Sequence, residues 1–317
     1  MTSITDITWL HWTGFIGAVL FFLALDLGVF HRKAHVVKFR EALGWTTLWF
    51  SLAMAFAYFI VPADSRTEFV TGYILELSLS MDNVFVIALI FGFFKVKLEH
   101  QHRVLFWGIL GALVMRAVMI GVGATLVARF HWILYFFGGF LVLTGIKMIF
   151  TDDDGVHPEK NPVVRLVKKF FPVTNEYHGQ HFTRHVNGRL FLTPLAVVLV
   201  MVETTDVVFA VDSIPAIFGV TQKTFIIYTS NVFAILGLRS LYFVLAGMIE
   251  YFHYLKYGLS LVLIYIGAKM LAVIWEIKID PNVSLIVVAS LIGLSVLISL
   301  IASRGVRKPP ALDRSTE

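Results

Sequence analysis

The sequence predicts an all-α polytopic membrane protein, with nine transmembrane helices containing a 3+3 inverted-topology repeat, in a single membrane domain over residues 1–317. Three observations predict it. Apolar residues make up 58% of the chain and charged ones only 15%, against roughly 45–50% and 25% in soluble domains. Nine apolar runs are each long enough to cross a bilayer. Two stretches of the chain carry the same charged residues in the same order.

A mean hydropathy of +0.80 leaves too little polar surface for a fold in water. There is no cysteine, which removes disulfide scaffolds, thiolate metal sites and cysteine nucleophiles. The net charge of +5 does not point to nucleic acid, because the basic residues form no stripe or arm. They sit between apolar runs, where a membrane protein uses them for orientation.

The spans, in order, are residues 9–30, 43–61, 69–94, 104–128, 131–150, 191–217, 224–248, 257–275 and 283–302. The first is too long for a signal-peptide core, and Asp6 precedes it. Eighteen Lys and Arg fall in the loops on one side, against four (Arg66, Arg129, Lys223 and Lys278) on the other. The positive-inside rule then places Ser3 outside and Arg314 in the cytoplasm. Segment 151–190 is the only sizeable soluble stretch. Its Asp152, Asp153 and Asp154, with His178, His181 and His185, could form a metal-sensing patch, but it reads as a solvated cytoplasmic linker.

The repeat is carried by charged residues inside spans. Met81-Asp82-Asn83-Val84-Phe85-Val86 is matched by Thr205-Asp206-Val207-Val208-Phe209-Ala210. Asp82, Arg116 and Lys147 are separated by 34 and 31 residues; Asp206, Arg239 and Lys269 are separated by 33 and 30. The copies, residues 69–150 and 191–275, are offset by three spans, so they cross the membrane in opposite directions. That arrangement is a transporter signature, with substrate sites where the copies meet.

Ionisable residues inside spans mark a pathway or site by default. The third span holds Glu76, Asp82 and Asn83; the sixth holds Glu203, Asp206 and Asp212; the seventh adds Asn231. Arg116 and Arg239 are expected to balance part of this charge, while Asp26, Lys147 and Lys269 can snorkel. Five carboxylates against two arginines leave a negative surplus that a bound cation would relieve. At about 100° per residue, Glu203 and Asp206 share a face, but Asp212 does not, and Glu76 and Asp82 diverge by about 120°. Regular helices therefore cannot aim all the acids at one ion, and Pro215 marks a place where the sixth span could unwind. Oxygen ligands favour magnesium, calcium or manganese, and the thioethers of Met81 and Met201 would tilt the choice to manganese.

The sequence resembles the TerC family of bacterial membrane proteins, and its Alx branch in particular. The resemblance rests on the third-span run from Glu76 through Val86. It rests also on Glu203-Thr204-Thr205-Asp206-Val207-Val208-Phe209-Ala210-Val211-Asp212-Ser213-Ile214-Pro215-Ala216-Ile217 and on the run from Thr229 through Arg239. It implies nine spans, a LysE-like transporter fold in the bacterial inner membrane, and manganese export, including under alkaline stress. The family's functional acids map to Glu76, Asp82, Glu203, Asp206 and Asp212, with Asn231 nearby. Its name refers to tellurium resistance, yet an acid-lined site should repel an oxyanion such as tellurite.

The expected function is export of a divalent cation, Mn²⁺ favoured, in exchange for protons. The expected partners are that cation and membrane lipids, with no nucleic acid and no required cofactor. An assembly or insertion factor for other membrane proteins is the alternative. An intramembrane enzyme is not expected, since no metalloprotease, serine-nucleophile or Walker motif occurs.

Overall fold

A computed structural model describes residues 9–25, 39–130, 132–150, 161–174, 177, 179–186, 189–245, 255–277 and 279–305. Its helices are α1 (Trp9–Leu25), α2 (Phe39–Phe59), α3 (Arg66–Phe93), α4 (Leu98–Arg129), α5 (Ile133–Phe150), α6 (Pro162–Phe170), α7 (Pro194–Val220), α8 (Thr224–Leu245), α9 (Leu255–Ala272) and α10 (Pro281–Gly305). One hairpin, β1 (Thr183–Val186) with β2 (Arg189–Leu192), precedes α7. Among the described residues, eight helices are long and apolar enough to cross a membrane: α2 to α5 and α7 to α10. α1 is equally apolar and is described over 17 residues. The rest of the expected first span, with Asp26, lies outside the described residues.

The chain is therefore a nearly all-helical, multi-pass integral membrane protein. α4 begins at Leu98, six residues before the expected span. The stretch Glu99-His100-Gln101-His102-Arg103 is too polar to register as membrane but still has good helix formers. One expectation is overturned. α7 does not unwind at Pro215; it runs as a helix through to Val220. Proline removes only the bond to the Val211 carbonyl, and Ser213 to Phe218 are all buried against neighbouring spans.

The site helices sit at the centre. α3 packs on α7 and α8, α4 on α7 and α8, and α5 along α9. The α5–α9 seam is close because it is built from small residues. A Cβ on Gly138 would stand 3.0 Å from the Gly267 carbonyl, and one on Gly145 would stand 2.7 Å from the Ser260 carbonyl. Small residues are how helices approach when lipid supplies no hydrophobic drive between them. α1 is held by rings, with the Phe15 centroid 5.5 Å from Phe56 and 5.8 Å from Phe233, each pair tilted by 56°.

The connection before α7 is more than a linker. Asn161 caps α6, its side chain accepting from the Val163 and Val164 amides at 2.9 and 3.1 Å, with Pro162 in the first turn. The Tyr177 hydroxyl donates to the Phe94 carbonyl at 2.6 Å, and burial pushes its pKa up. The Arg103 guanidinium lies 5.2 Å over the Phe182 ring. These contacts strap the hairpin across the ends of α3 and α4. His181 and His185 are exposed. His178, Asp152, Asp153 and Asp154 lie outside the described residues.

Candidate functional site

Three charged residues from three helices meet in the middle of the bundle. Arg116 on α4 points between α3 and α7. Its Nη2 donates to Asp206 Oδ1 at 2.9 Å and its Nε to Asp206 Oδ2 at 3.3 Å. Its Nη1 donates to Glu76 Oε1, and Ser213 Oγ lies 3.4 Å away. The Asn83 amide of α3 donates to Asp206 Oδ1 at 3.2 Å. Glu76 is 0% exposed and Arg116 is 2% exposed, while Asp206 is partly buried.

Its charges do not cancel. Two carboxylates face one guanidinium, and a low-dielectric site makes the remainder costly. Oxygens are left over as well. Glu76 Oε2, Ser80 Oγ and Asn83 Oδ1 are buried without a hydrogen-bond partner. Positions 76, 80 and 83 recur at helical spacing, so these side chains share one face of α3. Buried acceptors without donors are rare enough to need a reason.

A cavity of about 450 Å³ reaches this cluster. Glu76, Asn83, Arg116 and Ser213 line its deep end; Lys147 on α5 and Lys256 on α9 line it where the two helices meet the 151–190 side. Asp212 lines the same cavity, facing Thr144 and Lys147. Toward the opposite end Leu75, Ile217 and Ile227 are fully buried. A second void of about 20 Å³, room for one water, lies between Asn83, Thr205, Asp206 and Arg239.

The remaining expected ligands are dispersed. Glu203 lies on the same side of α7 as Asp206, but its carboxylate packs onto Gly111 of α4, where a side chain would overlap it. Asn231 is 1% exposed in α8, with both amide atoms unpartnered. Arg239 has its Nη2 3.5 Å from His102 Nε2. The Asp82 side chain lies outside the described residues. Among the described residues, no three His, Asp or Glu side chains are gathered to hold a metal. The divergence around α7 was legible from 100° per residue; the part of Arg116 as the bridge between Glu76 and Asp206 was not.

These elements fall within residues 61–308, which match the description "Integral membrane protein TerC family". The chain belongs to the TerC family. This TerC protein is 52% identical over 296 residues to STKORF319, an uncharacterized membrane protein of Myxococcus xanthus, with 92% of each chain covered. It is 45% identical over 276 residues to Alx of Escherichia coli (strain K12), covering 83% of this chain and 86% of that one. Alx of Photorhabdus laumondii is 44% identical over 304 residues, covering 92% and 94%. Both Alx proteins are named as candidate membrane-bound redox modulators. No solved structure matches the chain.

Proposed function

We propose that this protein is a secondary transporter that exports a divalent cation, with Mn²⁺ as the favoured substrate. The observation that carries the proposal is the Arg116 guanidinium, wedged between Glu76 and Asp206 at the closed end of the cavity. Arg116 occupies the position a cation would take, as a tethered competitor. In this reading a metal entering the cavity draws Glu76 and Asp206 away from Arg116, and Arg116 returns when the metal leaves. Glu76 Oε2 and Asn83 Oδ1 are oxygens still without a donor, the ligand type that magnesium, calcium and manganese prefer. Asp82, Glu203, Asp212 and Asn231 remain candidate ligands for a later stage of the passage, with Arg239 as the second balancing charge.

Alternating access needs one end shut while the other is open. The end away from the 151–190 connection carries a polar lock. Lys223 Nζ lies 2.7 Å from Ser65 Oγ and 3.3 Å from Glu68 Oε2, and Thr221 donates to Glu68 at 2.7 Å. With the expected orientation, N-terminus outside and C-terminus in the cytoplasm of the bacterial inner membrane, the cavity faces inward. The inverted repeat is supported by the packing of α3 on α8 and of α4 on α7, which become one contact under a two-fold exchange of the copies.

A redox role of the kind named for Alx would have to run through a transported metal or a bound partner, because this chain has no cysteine to cycle. The proposal is tested by uptake into liposomes holding the purified protein, with manganese, magnesium, calcium and zinc compared. Protons compete for carboxylate ligands, so binding should strengthen as pH rises. Uptake of none of the four above protein-free liposomes would remove the proposal.

A further inference from the structure

Helix α6 has an unusual position for its composition. Val163, Leu166 and Phe170 recur at helical spacing and are 40%, 55% and 68% exposed. Phe171, just beyond the helix, is 44% exposed. Arg165, Lys168 and Lys169 occupy the other side of the wheel. A single residue, Val164 at 1% exposure, anchors the helix among Val96, Val104 and Val197 at the ends of the spans. An amphipathic helix of this kind beside the end of a membrane span suits the boundary of the bilayer, where its apolar stripe would meet lipid.

Beside this helix, where α3 ends and α7 begins, is a cavity of about 530 Å³. Phe93, Phe94 and Val197 give it apolar walls, while Lys168 and Thr174 supply polar groups. Phe93, the last residue of α3, is 55% exposed at its edge. A cation above an apolar wall at the membrane boundary matches an amphiphile with a negative head.

We propose that α6 is an interfacial helix and that the adjoining cavity is a binding site for an anionic phospholipid. The lipid's phosphate pairs with Lys168, its acyl chains lie against Phe93, and Leu166 and Phe170 sit in the same leaflet. Lys169 adds to the local positive potential that concentrates anionic lipid. Val164 joins α6 to the stretch of α7 that includes Val197, Val198 and Met201, which lies two to six residues before Glu203. A lipid held here therefore braces the helix that carries Asp206. The inference does not depend on what the site in the membrane carries.

Native mass spectrometry of the full-length protein in detergent tests it, with phosphatidylglycerol titrated against phosphatidylcholine of the same chain length. The expected result is a phosphatidylglycerol adduct that survives where phosphatidylcholine is lost. Lys168→Gln should weaken it roughly five-fold, the effect of one basic residue at a membrane surface. Phe93→Ala, which leaves every charge in place, should weaken both lipids. Equal retention of the two lipids in the unaltered protein overturns the proposal, as does an undiminished adduct in Lys168→Gln. Displacement of the lipid by inorganic phosphate at matched concentration would also overturn it, by assigning the cavity to free phosphate.

Discussion

Arg116 meets Asp206 side-on, Nη2 to Oδ1 at 2.9 Å and Nε to Oδ2 at 3.3 Å, while its other terminal nitrogen reaches Glu76. A guanidinium can hold two carboxylates in this way because its donors lie in one plane and point along separate edges. Lysine, with a compact ammonium, cannot. The arrangement ties α3, α4 and α7 together through one side chain, and it does so where a negative remainder is left unbalanced.

The first prediction concerns that remainder. Arg116→Gln leaves the buried Glu76 and the partly buried Asp206 without their guanidinium, and breaking a buried pair costs about 3–5 kcal/mol. Its melting temperature in detergent should fall well below that of the unaltered protein. Added Mn²⁺ should restore more stability to Arg116→Gln than it gives to the unaltered protein, because the tethered competitor is gone. A purely structural Arg116 predicts the same fall with no recovery on adding metal.

The second concerns the α5–α9 seam. Gly267→Ala places a methyl group 2.6 Å from the Gly138 carbonyl and 2.9 Å from the Val142 amide nitrogen. Neither can move without shifting a helix, and overpacking of this kind costs about 1–3 kcal/mol. Gly139→Ala, one position from Gly138, meets nothing within 4 Å and should change stability by less than about 0.5 kcal/mol. Thermal melts of the two variants side by side check the seam, and equal melting would contradict it.

A third prediction follows from the polar lock at Lys223. Lys223→Met removes the ammonium from Ser65 and Glu68 while keeping an unbranched side chain one atom shorter. The end it closes should open more often. Because the chain has no cysteine, a Ser230→Cys probe beneath the lock reports directly. Labelling by an impermeant thiol reagent should rise several-fold in the Lys223→Met background. Unchanged labelling would mean the lock does not control access.

Much of the fold was legible in the sequence because membrane spans are long, and a long apolar run has few alternatives. α5 and α8 begin or end within a few residues of where hydropathy places them. α6 and the hairpin were not legible. A helix of nine residues and strands of four are held by tertiary contacts such as Tyr177 to Phe94 and Arg103 to Phe182, which no local pattern reveals. The candidate site divides in the same way. That Glu76, Asp206 and Arg116 belong together as a candidate site was readable from the cost of burying charge. That Arg116 would lie between the two acids was not, because the pairings span 40 and 90 residues and depend on how α4 docks. Ser213 was legible only as a neighbour of Asp212. The unwinding expected at Pro215 failed because a proline's missing amide is tolerated where the surrounding helices hold the backbone in place.

The most direct measurement is manganese flux through Asp206→Asn. Asparagine keeps the shape of the side chain and can still accept from Arg116, but it removes one charge from the cluster. Asp206→Asn should insert and elute as the unaltered protein does, bind no Mn²⁺ in a stability titration, and carry Mn²⁺ into liposomes no faster than protein-free controls. Full flux and full metal-dependent stabilisation in a well-folded Asp206→Asn would contradict a cation path through Glu76, Arg116 and Asp206.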